Sequence, residues 1–308
     1  MERDQRVMVL GQDVGRLGGV FRATAGIQER FGGDRCFDTP VSEAGMLGTA
    51  VGLALAGWRP VCEIQFDGFC YPALDQLITH VGRYRQRTSG RAAMPLVVRI
   101  PYGGGVGAPE LHSDSPEAYF VHAPGLKVAV PSSAADAKGL LAAAIRSPDP
   151  VVFLEPKALY RVAQDPVPEG DHCLTLGTAR IARRGDAVTI ITYGAMVPVA
   201  QVAAQALAEE GMEAEVIDLR TLKPLDEELV IASVAKTGRA VVVHEGPRTL
   251  GVGAEVSALL AEHAIASIKG PIVRVTGYDS PAPPSLLEHK YIPSPERVIA
   301  AARRTMEL

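Results

Sequence analysis

Glu43 is the carboxylate in this chain best placed to do chemistry. It lies in the run Asp38, Thr39, Pro40, Val41, Ser42, Glu43, Ala44, Gly45. Pro40 favours an extended residue before it and offers no backbone donor, and Ser42 is a good N-cap, so a helix should open near Glu43. An acid in that first turn complements the helix dipole, and spacing alone leaves open whether it is a cap or a reactant. His112 is the second candidate. It precedes Ser113, Asp114, Ser115, Pro116 and Glu117, which read as an N-cap, a first-position proline and a first-turn acid, so an imidazole able to give or take a proton faces a helix start. The competing reading is a loop histidine bonded to backbone. Phe66, Phe69 and Tyr71 follow the strand that starts at Val61; rings at a strand's carboxyl end can stack on a planar ligand or pack into a core.

Other groups carry less. Gly103, Gly104, Gly105 and Gly107 follow a strand ending at Ile100, but their spacing matches neither a dinucleotide fingerprint nor a Walker loop, and a flexible loop is expected. His244, beside Glu245, is as ambiguous as His112, and the remaining histidines have no metal-ligand spacing. Cys36, Cys62, Cys70 and Cys173 show no paired short spacing, so buried reduced thiols are expected rather than zinc or disulfides. No metal ligand is assigned.

The elements that must position these residues alternate. Strands are predicted at Val7 to Leu10, Val61 to Phe66, Leu96 to Ile100, Val128 to Val130 and Val151 to Leu154, with helices at Ser42 to Gly57, Pro72 to Arg87, Pro116 to Ala123 and Ala134 to Arg146. In the Ser42 helix, Met46, Leu47, Ala50, Val51, Ala54 and Leu55 make an apolar face, while Gly45, Gly48, Gly52 and Ala56 make a stripe without bulk. Such a stripe costs helix propensity and is useful where another backbone approaches closely; the helix is expected to be buried on most sides. The second half repeats the alternation: strands at Val188 to Gly194, Ala214 to Arg220, Ala240 to Glu245 and Ile272 to Gly277, and helices at Val199 to Glu210, Asp226 to Lys236 and Gly253 to Ala266. This is the pattern of parallel sheets covered by helices. Residues 164–178 are rich in Pro, Gly and Asp and read as a linker, between a first domain at 1–163 and a second at 179–308.

At 308 residues, with 47% hydrophobic and 21% charged residues and a net charge of -4, the chain suits two soluble domains and shows no basic excess for nucleic acid. No apolar run approaches a membrane span and the charged start is not a signal peptide, so the cytoplasm is the expected location. The chain contains no asparagine, hence no N-glycosylation acceptor and no asparagine metal ligand.

Several segments in order resemble the beta subunit of the thiamine-dependent, decarboxylating first component of 2-oxo acid dehydrogenase complexes. They are Gly11 to Arg22, Asp38 to Gly45, Arg59 to Gln76, His112 to Lys127, Asp136 to Ile145, Glu215 to Leu225 and Lys236 to Glu245. The resemblance implies an α/β fold of two parallel-sheet domains, a thiamine-enzyme pyrimidine-binding domain followed by a transketolase C-terminal-type domain. It implies that Glu43 matches the glutamate that hydrogen-bonds the pyrimidine ring of thiamine diphosphate. Phe69 falls where the family sets an aromatic ring against that pyrimidine, and His112 matches a histidine facing the 2-oxo acid and the lipoyl group; Gln65 and Phe66 are further cofactor-binding candidates. The family binds diphosphate and magnesium through a GDG motif with a downstream asparagine. This chain has neither, so an alpha subunit must hold the magnesium, in a two-alpha, two-beta heterotetramer with a second beta subunit. The lipoyl and subunit-binding domains of a dihydrolipoyl acyltransferase are further implied partners, and a structural potassium ion near Ala144 to Asp149 is known in some relatives. Phe153 to Arg161 and Arg274 to Pro293 look more like the branched-chain type than the pyruvate type. A pyruvate or acetoin dehydrogenase beta subunit, or the C-terminal half of a split transketolase, is the alternative. Gln12 is a departure: relatives often carry there a glutamate thought to connect the two active sites, and a neutral amide cannot take up a proton in that way.

Overall fold

Twelve strands form two sheets in a computed structural model that describes residues 1–108, 111–162 and 165–307. The first half supplies β1 (Val7–Gly11), β2 (Cys36–Asp38), β3 (Arg59–Glu63), β4 (Val97–Tyr102), β5 (Lys127–Ala129) and β6 (Val151–Pro156). The second supplies β7 (Arg180–Arg183), β8 (Val188–Thr192), β9 (Ala214–Asp218), β10 (Thr221–Lys223), β11 (Ala240–Val243) and β12 (Val273–Val275). The first sheet has the order β10-β5-β6-β4-β3-β1-β2 and the second β12-β11-β8-β9-β7. Pairing is parallel except at two edges, where β10 runs against β5 and β7 against β9. The fully buried runs of β4, β6, β8 and β11 explain their near-continuous apolar sequences, since helices cover both faces.

The helices are α1 (Ile27–Phe31), α2 (Glu43–Leu55), α3 (Tyr84–Arg87), α4 (Glu117–His122), α5 (Ala134–Arg146), α6 (Met196–Glu209), α7 (Glu227–Thr237), α8 (Val252–His263), α9 (Glu288–Tyr291) and α10 (Pro295–Arg304). One apolar core runs between the sheets through α2, α4, α7 and α8, joining Leu10, Leu47 and Phe120 to Ile191, Val242 and Leu260. A second core lies between the second sheet, α6 and α10, and a third between the first sheet and α5. The two sheets are thus stitched together by a shared layer and by β10, which leaves the second half to pair with β5.

Three expectations change. The predicted helix from Pro72 to Arg87 is broken into a 3-10 turn at Asp67–Ala73, a π turn at Gln76–Val81 and α3; Pro72 sits inside the first, and Gly82 passes so close to the Pro124 carbonyl that a Cβ would not fit. The helix α2 is not buried on most sides: Met46, Leu47, Ala50 and Ala54 face the core, whereas Gly45, Gly48, Thr49 and Gly52 face outward. Cys173 is exposed, while Cys36, Cys62 and Cys70 are buried. The start of the predicted linker, at Gln164, lies outside the described residues. From Asp165 onward that stretch runs along α5, where Leu174 N–H donates to the Gly139 carbonyl (3.1 Å) and Arg146 pairs with Asp171 (2.7 Å).

Candidate active site

The candidate residues gather at the carboxyl ends of the first sheet's strands, where parallel α/β sheets hold their ligands. Gln12 and Asp13 follow β1, Glu43 opens α2 after β2, Gln65 and Phe66 follow β3, His112 lies in the connection after β4, and Lys157 follows β6.

Glu43 is the first residue of α2 and is only 6% exposed. Ser42 occupies the N-cap position as the sequence predicts, but its hydroxyl makes no capping bond. One Glu43 oxygen, Oε1, accepts the Gln12 side-chain amide at 2.7 Å; Oε2 has no hydrogen-bond partner among the described residues. A mostly buried carboxyl with one oxygen tied and one uncommitted, at the foot of an outward-facing glycine stripe, fits a group that hydrogen-bonds a ring nitrogen arriving from outside the chain.

The rings form a second cluster. His112 stacks on Phe66 (centroids 4.3 Å, 13° between planes) and meets Phe69 edge-on (5.0 Å, 73°). Phe21 packs on Phe66 at 5.3 Å and on Tyr160 at 4.9 Å. His112 thus sits in an aromatic nest, with Nδ1 buried and unpartnered among the described residues. Gln65 Nε2 donates to Asp13 Oδ2 at 2.7 Å, so the carboxyl ends of β1 and β3 are linked beside Glu43. Among the described residues no hydrogen bond joins Glu43 to the ring cluster. The two are neighbours through α2, which packs on the 3-10 turn carrying Phe69.

Sequence reading missed the polar supports. Beneath the rings, Arg99 donates to Glu63 (2.6 Å) and in bidentate fashion to Glu155 (2.6 and 2.9 Å), tying β3, β4 and β6 together. Lys157, wholly buried, pairs with Asp67 and donates to the His112 carbonyl at 2.6 Å. Asp67 also accepts the Asp114 N–H. These residues are remote in sequence and share no spacing. The expected flexible loop proves to be an ordered contact: Gly103 N–H donates to the Asp114 carbonyl (2.9 Å) and Gly104 N–H to Glu245 (3.0 Å), and a Cβ on either would meet a carboxylate. His244 is not brought to the rings. It is buried between the sheets beside Tyr193, and burial lowers its pKa to about 4, helped by Arg274. Among the described residues no group of acids, histidines and cysteines has the arrangement to hold a metal ion.

Residues 1–163 match the family model described as the transketolase pyrimidine binding domain, and residues 177–298 match the transketolase C-terminal domain. The chain is 49% identical to the 2-oxoisovalerate dehydrogenase subunit beta of Pseudomonas aeruginosa, covering 100% of this chain and 91% of the relative. It is 48% identical to the pyruvate dehydrogenase E1 component subunit beta of Staphylococcus epidermidis, over 100% of this chain and 94% of the other. The 3-methyl-2-oxobutanoate dehydrogenase subunit beta of Mycobacterium tuberculosis is 48% identical, over 99% of this chain and 88% of its own length. Among solved structures, a chain described as "Split gene transketolase, inactive beta4 tetramer" superposes with a TM-score of 0.80 at 25% identity, covering 100% of this chain and 94% of its own. The chain belongs to the family of 2-oxo acid dehydrogenase E1 beta subunits, built from a transketolase pyrimidine-binding domain and a transketolase C-terminal domain.

Proposed function

We propose that this chain is the beta subunit of a branched-chain 2-oxo acid dehydrogenase, and that it binds the pyrimidine half of thiamine diphosphate. The observation that carries this reading is Glu43: a buried carboxyl with one oxygen held by Gln12, set below an exposed small-residue face. When bound, thiamine diphosphate supplies the electron sink for loss of carbon dioxide. Glu43 holds the proton shared with the pyrimidine nitrogen; Phe69, Phe66 and Gln65 line the approach. His112 faces the 2-oxo acid and moves a proton as the acyl group passes to the lipoyl arm.

Assembly follows from what the chain lacks. With no GDG run and no asparagine, the diphosphate and its magnesium belong to an alpha subunit, packed on the Gly45, Gly48, Gly52 face of α2 in a two-alpha, two-beta enzyme. The acyltransferase's subunit-binding domain docks on the second domain, with domain limits at 1–163 and 179–308, and the enzyme works in the cytoplasm. A potassium ion near Ala144 to Asp149 would compete with Arg59, which already donates to the Ile145 and Ser147 carbonyls (2.7 and 3.2 Å).

The relatives divide between branched-chain and pyruvate enzymes at nearly equal identity; the segments Phe153 to Arg161 and Arg274 to Pro293 favour the former. A split transketolase would need free cations for a sugar phosphate. Lys157 and Arg99, the cations described beside the rings, are instead committed to Asp67 and to Glu63 and Glu155. The test is co-expression with an alpha chain bearing GDG, then comparison of kcat/KM on 3-methyl-2-oxobutanoate and pyruvate. A preference of about 10-fold or more for the branched substrate is expected. Preference for pyruvate overturns the substrate assignment, and silence on every 2-oxo acid by the assembled pair overturns the reading itself.

A further inference from the structure

The connection that carries His112 is fastened from two sides. On the first-domain side, Lys157 holds the His112 carbonyl, Asp67 holds the Asp114 N–H, and Tyr71 donates its hydroxyl to Asp114 Oδ2 at 2.9 Å. On the other side stands Glu288, the first residue of α9, only 8% exposed. Its Oε2 accepts the Gly107 N–H at 3.2 Å and its Oε1 accepts the Ser113 hydroxyl at 3.0 Å. One carboxylate from the second half of the chain thus holds both Gly107 and Ser113, the residue that follows His112.

The backbone beside His112 needs such holding. Leu111, next to His112, has φ 66, a left-handed conformation that a branched side chain resists. A Cβ on Gly68 would run into the Leu111 carbonyl oxygen, so the backbone there is also pressed against the Phe69 turn. Freed at Gly107 and Ser113, Leu111 could relax toward negative φ, and the neighbouring imidazole would leave its stack on Phe66.

We propose that Glu288 is a positioning residue, through which the C-terminal domain sets the geometry of His112 for the reaction. Glu288 touches neither reactant; it acts by holding Ser113 and Gly107. The proposal rests on the reading of His112 as the group that faces the substrate.

The test uses the enzyme assembled with its alpha subunit. Glu288→Ala, Glu288→Gln, Ser113→Ala and His112→Ala are compared for turnover in lipoyl acylation, for thiamine diphosphate affinity by fluorescence titration, and for thermal midpoint. Displacement of a reacting group by about 1 Å costs up to about 100-fold, so Glu288→Ala should lower turnover by about 10-fold or more. Ser113→Ala should fall between it and the parent, and cofactor affinity should stay within about 2-fold, because Glu43 sits on a different element. In the His112→Ala background, Glu288→Ala should then add less than about 2-fold, the non-additivity of residues acting as one unit. Equal losses in both backgrounds, unchanged turnover in Glu288→Ala, or a parallel fall in cofactor affinity would overturn the positioning role while leaving His112 in place. Full turnover by His112→Ala would overturn the reading of His112, and the proposal with it. If Glu288→Ala fails to assemble, Ser113→Ala, which removes a single hydroxyl, decides the question by the same cycle.

Discussion

At the scale of single residues, the chemistry reduces to how two oxygens of Glu43 are used. Gln12 takes one of them at 2.7 Å, which fixes the carboxyl plane; the proposed role gives the other oxygen to the pyrimidine nitrogen. Replacing Gln12 by Leu removes that bond while keeping the side chain's bulk, and an ordinary hydrogen bond contributes roughly 0.5–1.5 kcal/mol. If that bond orients Glu43 for the reaction, turnover of the assembled enzyme should fall by roughly 2- to 10-fold, with the chain's far-UV circular dichroism unchanged; full turnover would show that Gln12 is a bystander. The position of Glu43 was legible in Pro40 and Ser42, because helix starts are written in local residue types. Its partner was not, since the Gln12 contact spans 31 positions and depends on β1 lying beside β2. For the same reason the ring cluster could be read only in pieces: Phe66 and Phe69 are close in sequence, but the fold alone brings His112 between them.

At the scale of elements, α2 carries a testable signature of a missing partner. A Cβ added at Gly52 would meet nothing within 4 Å, and one at Gly48 would reach only Gln76 Oε1 at 3.9 Å. Nothing among the described residues requires glycine there, although glycine in a helix costs about 1 kcal/mol relative to alanine. Gly52→Ala should raise the thermal midpoint of the isolated chain by a few degrees, roughly 2–4 °C, and weaken its assembly with an alpha subunit, measured by sedimentation. Tighter assembly, or a less stable isolated chain, would contradict the account of this face. The apolar side of α2, with Met46, Leu47, Ala50 and Ala54, was legible from helical period. The exposed side was misread as buried because periodicity reports which residues could pack, not whether the packing partner belongs to the same chain. The helix predicted from Pro72 to Arg87 failed for a different reason: the close passage of Gly82 against Pro124 is a tertiary constraint that local propensity does not contain.

At the scale of the whole molecule, the two halves meet at a buried acidic seam. The strand order of the second sheet reverses between β8 and β11, and the residues just beyond those strands, Tyr193 and Glu245, receive the first half of the chain. Tyr193 donates its hydroxyl to Glu117 at 2.7 Å, and Glu245 accepts the Gly104 N–H at 3.0 Å. Burial pushes Glu117 up to about 7, against the pull of the Tyr193 bond and with a further push from the charge of Glu245; burial does the same to Glu245, also to about 7. The folded values exceed the ordinary 4.5, so the fold retains protons that the unfolded chain gives up. The associated stability is full below about pH 4.5 and is lost as pH rises through about 7. Glu117→Gln, whose amide oxygen can still accept from Tyr193, should match the parent at pH 5 and exceed its thermal midpoint at pH 8 by roughly 2–4 °C. Parallel curves across that range would contradict the assignment. This seam was invisible in the sequence, as was β10: three residues directly after Arg220 become an edge strand only because β5 of the other half offers them a partner. The alternation of strands and helices in each half was legible, because parallel sheets impose continuous apolar runs.

The central claim is that Glu43 serves one half of an active site whose other half lies on another chain. It is tested most directly by mixing purified chain with an alpha subunit bearing GDG and following thiamine-diphosphate-dependent decarboxylation of 3-methyl-2-oxobutanoate, with Glu43→Gln in parallel. The account predicts no turnover from either chain alone, turnover on mixing, and a loss of roughly 100- to 10,000-fold in Glu43→Gln with assembly intact. Decarboxylation by this chain alone, or normal turnover by Glu43→Gln in the mixture, would contradict it.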